Sequence, residues 1–144
     1  MLGSQGKVGR RLSRSIGTWP AQGRGLRVDK AQALARLGIE PTGLTRFANI
    51  NSAKDVWWVD VPLSVLVDPE AESVDLALFD GRTSELHHLR VPVGFLNEHL
   101  GAFHVRDDVD KVSLELAIDP PDRFRNVVPV DSGVSLAPFL VRTI

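Results

Sequence analysis

Four histidines, His87, His88, His99 and His104, fall within eighteen residues, and the acids Asp107, Asp108 and Asp110 follow directly. Imidazole and carboxylate together make a ligand set for a divalent metal. The spacing argues against such a site. Neighbouring strand residues point to opposite faces, so at most one of His87 and His88 joins a given centre. A spacing of five between His99 and His104 does not align both on one helical face, as a spacing of four would. No metal and no cofactor is therefore expected. A second constellation, Asp75, Asp80 and Glu85, flanks a hairpin signal. Carboxylates gathered at a sheet edge can hold magnesium for phosphodiester hydrolysis. The triplet Glu85-Leu86-His87 carries histidine where the nuclease pattern Glu-x-Lys carries lysine. These groups define an alternative enzymatic reading, a metal-dependent nuclease or related hydrolase with Asp75, Glu85 and His88 as its catalytic residues. Cysteine is absent, which removes thiolate nucleophiles, disulfides and Cys-based metal sites. The serines form no GxSxG elbow, and no phosphate-cradling glycine loop opens a helix.

The third candidate is electrostatic. Beneath a net charge of −1, residues 1–30 hold seven cations against one acid, and residues 31–144 hold ten cations against seventeen acids. A basic tail on an acidic body can bind nucleic acid, an anionic surface, or its own body. Residues 1–28 carry six glycines, three serines, no acid and few apolar residues. So little apolar area cannot offset ordering entropy, and a flexible arm is expected. On nucleic acid, Lys7, Arg10, Arg11, Arg14, Arg24 and Arg27 would neutralise phosphates and Trp19 would stack on an unpaired base. A protein partner is the competing occupant. The arm lacks the 7–15-residue apolar core of a secretory signal, although its Arg- and Ser-containing composition is weakly like a transit peptide. No apolar run approaches the ~20 residues that span a membrane, and with no cysteine to protect, a cytoplasmic location is expected.

The elements that must position these groups follow in order. Asp29-Lys30-Ala31-Gln32 reads as a capping box, opening a helix with an apolar stripe at Ala31, Leu34, Ala35 and Leu37 that stops at Gly38. Pro41 begins a second turn or helix through Leu44 and Phe47, so that LARLGIEPTGLTRF has the outline of a helix-turn-helix, one residue short before Gly38. Val56–Val61 is a strand with a tryptophan on each face, as in a central strand covered on both sides. Val74–Phe79 and Leu86–Val91 form a hairpin about Asp80-Gly81. A three-residue bulged loop would place Leu76 opposite Leu86 and Val74 opposite His88. Pro92 opens a helix with Val93, Leu96, Leu100 and Phe103 on its inner stripe. Val112, Leu114, Leu116 and Ile118 alternate with polar or small residues in a strand with one buried face. Short strands over Val127–Val130 and Val134–Val141 carry prolines that place them at edges. No internal repeat is evident.

Lys54–Pro62, KDVWWVDVP, resembles the opening strand of the PemK/MazF-like toxin endoribonucleases over these nine residues. That family has glycine at the place of Lys54 and an Arg-Pro run after the strand. Neither is present here, so no catalytic residue carries over. The sum is an α+β domain over residues 29–144: a mainly antiparallel, strongly bent sheet or small partly open barrel, two or three short helices, and the basic arm. The primary functional expectation is a non-enzymatic binding module. It contacts a protein partner or a second copy of itself, touches nucleic acid through the arm and avoids membranes.

Overall fold

A computed structural model describes residues 26–129 and 132–144. Helix α1 spans Lys30–Leu37 and begins as the sequence dictates. The Asp29 carboxylate accepts from Gln32 N–H at 2.7 Å, and Gln32 Oε1 accepts from Asp29 N–H at 3.0 Å. Gly38 ends the helix at φ 69°, the left-handed conformation that glycine adopts without a Cβ penalty.

The chain then departs from the helix-turn-helix outline. Gly43 and Leu44 form a turn, and Thr45–Asn49 is strand β1. Thr45 closes that turn, its Oγ1 donating to Thr42 O and accepting from Thr42 N–H. With Phe47 and Ala48 then claimed by a buried sheet, strand pairing wins over helix formation. The remaining strands are β2 (Val56–Pro62), β3 (Ser73–Asp80), β4 (Glu85–Pro92), β5 (His104–Arg106), β6 (Lys111–Ala117) and β7 (Leu140–Thr143). Two further short helices are α2 (Leu63–Leu66) and α3 (Val93–Glu98).

One sheet has the order β1-β3-β4-β7 and the other β2-β6-β5. All pairings are antiparallel except β1 with β3. The sheets curl against one another without closing into a barrel, joined at one margin by an Ile50–Trp57 bridge. Strand β2 therefore lies at the edge of its sheet, a correction to the central position suggested by its two tryptophans. Trp57 is fully buried and Trp58 half-exposed.

The main core lies between the sheets, where Trp57, Leu76, Leu78, Leu89, Leu114 and Leu116 meet. A smaller core lies behind the four-stranded sheet, where Leu34 and Leu37 of α1 cover Ala77, Phe79 and Leu86. The β3–β4 register pairs Asp80 with Glu85, Leu76 with Leu89 and Val74 with Val91, so the loop has four residues rather than three. The fourth, Ser84, takes φ 62°. This register sets Leu76, Leu89, Val74 and Val91 into one core, and Ala77, Phe79 and Leu86 into the other. Of the short strand expected over Val127–Val130, residues 127–129 form none, and Val130 lies outside the described residues. Asn126 and Arg125 make isolated bridges instead, and Ala137–Phe139 is a 3-10 turn before the edge strand β7.

The fold also contains a repeat that the sequence reading misses. Val61-Pro62-Leu63-Ser64-Val65-Leu66 and Val91-Pro92-Val93-Gly94-Phe95-Leu96 both run from strand to helix. Pro62 and Pro92 have φ −61° with ψ 139° and 135°. In each, the first helical N–H donates to the carbonyl just before the paired strand: Leu63 to Asp110 and Val93 to Glu72, both at 2.9 Å. Six residues with only Val, Pro and Leu identical are too few to register as a repeat without the geometry.

Leu26–Val28, placed in the arm by composition, are fixed to the body. Leu26 N–H donates to Gly81 O, Val28 is buried, and Asn49 bonds both the N–H and the carbonyl of Val28. Gly81 permits this crossing, because a Cβ there would lie 1.9 Å from Leu26 O.

Candidate functional site

At the margin between β1 and β2 lies a polar recess of about 310 Å³, lined by Arg27, Phe47, Ala48, Asn49, Asn51, Ser52 and Trp58. Its walls are built locally. Asn49 ties down Val28, which sets Arg27 at the rim. The Arg27 guanidinium donates through Nη1 to Ile50 O at 2.9 Å. Asn51 Oδ1 accepts from the N–H groups of Ala53 and Lys54 and so fixes the turn into β2.

Trp58 connects the recess to a polar network on the outer face of the β2-β6-β5 sheet. Its indole N–H donates to Asp60 Oδ1 at 3.0 Å, and Ser113 Oγ donates to the same oxygen at 2.6 Å. Arg106 approaches the other Asp60 oxygen at 3.7 Å. Lys54 Nζ lies 5.6 Å from the centre of the Trp58 ring and donates to buried Glu115 at 2.8 Å. The cation is thus shared between a carboxylate and an aromatic face. Glu115 is covered by the segment around Asn126, a buried amide that bonds Glu115 N–H, Ala102 O and Val128 O. Sequence reasoning assigned no role to Trp58, Lys54, Asn51 or Asn126. The two-residue periodicity that puts Trp58 and Asp60 on one face was the available signal.

On the hairpin, Asp75 and His88 come together and Glu85 does not. His88 Nε2 donates to Asp75 Oδ1 at 2.7 Å, and Arg90 Nε donates to the same oxygen at 3.1 Å. Glu85 pairs with Asp80, five ladder steps from the Asp75–Arg90 pair. At about 3.4 Å per residue this separates Glu85 from Asp75 by roughly 17 Å. Asp80 is buried and locked by Arg82, which donates from its backbone N–H and from Nε and Nη2 and also bridges to Asp119. Burial alone would raise the Asp80 pKa. The Arg82 hydrogen bonds and charge outweigh it and hold the carboxyl below its usual range. The same bonds push Arg82 upward.

His87 points into the main core. Its ring crosses Trp57 and Phe124 at 73° and 76°, and Nδ1 bonds Thr143 Oγ1 at 2.7 Å. Burial, reinforced by the Arg123 charge, lowers its pKa, against a smaller opposing pull from Glu85 and Asp80. His87 is thus a neutral core residue at pH 7.

The other sequence candidates are dispersed. His99 donates to Phe95 O and packs on the Phe95 ring. His104 is exposed on β5, and Asp107, Asp108 and Asp110 occupy the following turn. Among the described residues, no group of three or more His, Asp or Glu side chains could hold a metal ion. Of the proposed nucleic-acid contacts, Arg27 lines the recess. Lys7, Arg10, Arg11, Arg14, Trp19 and Arg24 lie outside the described residues. No helix among the described residues is long and apolar enough to cross a membrane. Comparison with protein-family models, curated proteins and solved structures finds no match to this chain.

Proposed function

We propose that the chain is a non-enzymatic binding domain that contacts nucleic acid through its basic arm. The carrying observation is the arm's attachment point. Arg27, the first cation of the described body, stands at the rim of the polar recess beside Trp58 and Lys54, and Arg24 is three residues away along the chain. Arg27, the arm cation that is described, thus stands beside a fixed aromatic ring, while the acidic remainder of the body discourages phosphate elsewhere. In this reading the domain works in a reducing compartment such as the cytoplasm.

The test is fluorescence anisotropy across a salt series with random single- and double-stranded DNA and RNA. Full-length protein is compared with a full-length variant carrying Lys7→Gln, Arg10→Gln, Arg11→Gln, Arg14→Gln and Arg24→Gln. If about five phosphates are neutralised, the slope of log K against log salt is near −4 to −5 on duplex DNA and near −3 to −4 on single strands for the native chain. The variant should lose most of that slope. A slope near zero for the native chain, or one unchanged in the variant, sinks the reading.

A specific feature favours self-association as a second role. Strand β7 ends its sheet with all four residues exposed, Leu140 and Val141 among them. Its one charge, Arg142, is folded back to bond Leu37 O at the end of α1. Among the described residues no strand covers its outer edge, and an edge strand without outward charge invites strand pairing. Pairing β7 with β7 of a second copy would extend the sheet across a two-fold axis. Light scattering should give a dimer for the native protein and a monomer for Val141→Lys. A monomeric native protein at high micromolar concentration rules this role out.

A further inference from the structure

We infer that the recess between β1 and β2 is a subsite for one unpaired base of a single-stranded nucleic acid, with Trp58 as its stacking platform. This deepens the nucleic-acid reading and rests on it. About 310 Å³ lies at the lower end of the ~300–1,000 Å³ typical of small-ligand pockets, a size suited to one nucleoside.

Three observations narrow the ligand class. First, the Trp58 ring is held before any ligand arrives. Asp60 takes its N–H, Ser113 steadies Asp60, and Lys54, fixed by Glu115, lies over the ring. A ring already immobilised loses little entropy on stacking. Second, the polar wall is rich in donors. Asn51 uses its Oδ1 on two backbone N–H groups, which leaves its amide N–H pair to face acceptors. Arg27 commits Nη1 to Ile50 O, one of its five N–H donors. Base carbonyls, ring nitrogens and phosphate oxygens are such acceptors. Third, Arg27 is fixed at the rim by Ile50 O, and a cation there suits the phosphate next to a bound base. A base inside a duplex is stacked on both faces and paired along one edge and cannot enter, whereas an unpaired base can be splayed out.

The test uses the full-length chain and three fluorescent probes of equal length: a twelve-nucleotide thymidine strand, the same backbone without bases, and a duplex. The native protein should bind the base-bearing strand about 5–100-fold more tightly than the abasic strand, the range that stacking one base supplies. Trp58→Ala should abolish that ratio without changing the salt slope, because phosphate contacts are untouched. Trp58→Phe, which keeps a ring, should retain most of the ratio, and this separates stacking from a general loss of structure. Equal affinity of the native protein for base-bearing and abasic strands, with a steep salt slope, overturns the subsite and leaves the arm reading standing. A ratio that survives in Trp58→Ala likewise overturns it. Free thymidine monophosphate competing as well as the strand would reassign the recess to a nucleotide ligand. No binding to any probe removes both readings.

Discussion

Trp57→Ala should lose about 3–5 kcal/mol of stability, the cost of emptying a large aromatic site in a packed core. A domain of ordinary stability has about 5–15 kcal/mol in total. The variant should therefore melt at least ~6 °C lower, at roughly 2–8 °C per kcal/mol, and expose core surface to dye at lower temperature than the native protein. The reasons are specific. Trp57 is fully buried, stacks on Phe124 at 5.6 Å, crosses His87, and donates its indole N–H to Phe79 O at 2.9 Å. It pins the two sheets together where they lack continuous hydrogen bonding. Trp57→Phe keeps a ring beside Phe124 but gives up the indole hydrogen bond to Phe79 O, and should cost about 0.5–1.5 kcal/mol beyond the lost volume. Trp58→Ala, one residue away on the half-exposed face, should cost only about 1 kcal/mol. Chemical denaturation of the three variants checks the ordering. Equal losses for Trp57→Ala and Trp58→Ala would mean that the sheets are not joined as described.

Arg82→Ala should be nearly as damaging, and its pH dependence should run opposite to that of the native protein. Asp80 is buried, and Arg82 supplies its only described counter-charge in direct contact. Removing one partner of a buried pair costs about 3–5 kcal/mol. Arg82 is itself partly exposed, so water can enter and about 2–4 kcal/mol is the fitting expectation. The sign with pH follows from proton counting. In the native protein the Asp80 pKa is depressed, so the unfolded chain binds more protons. The Asp80 contribution is complete above the unfolded value of about 3.9 and is lost as pH falls below it. Without Arg82, burial is the largest remaining influence and raises the pKa. The variant's penalty is then relieved at acid pH and grows as pH rises through the raised value.

His87 contributes separately. Its depressed pKa leaves it neutral when folded while the unfolded chain takes up a proton below about 6.5. Its contribution is therefore complete above that pH and declines as pH falls through it. Urea titrations from pH 4 to 8 should show the Arg82→Ala deficit shrinking toward pH 4. A deficit independent of pH would mean that the loss is packing rather than an orphaned carboxylate.

Sequence alone was enough for features whose cause is local. The Asp29–Gln32 capping box, the Gly38 stop, the strand character of the paired tryptophans and the alternation of Val112–Ile118 all depend on residues within a few positions of one another. Backbone sterics and two-residue or helical periodicity act at that range. The α+β class followed from the same signals. Three matters lay beyond them. Thr45–Phe47 has no strong local preference and became a strand because β3 offered it a parallel partner between two cores. The hairpin took a four-residue loop because two separate cores, one on each side of the sheet, selected the register. Local turn chemistry around Asp80-Gly81 was compatible with several.

The candidate site shows the same division. Composition segregated the charge, and nothing in the one-dimensional chain joined Arg27 to Trp58 or Lys54 to Glu115, sixty-one residues apart. Asp75, Glu85 and His88 looked neighbourly in sequence, yet the ladder placed Glu85 at the other end of the hairpin. Chain proximity decides which turns and caps form. Burial of two hydrophobic faces at once decides which distant side chains meet, and that requirement exists only in the folded protein.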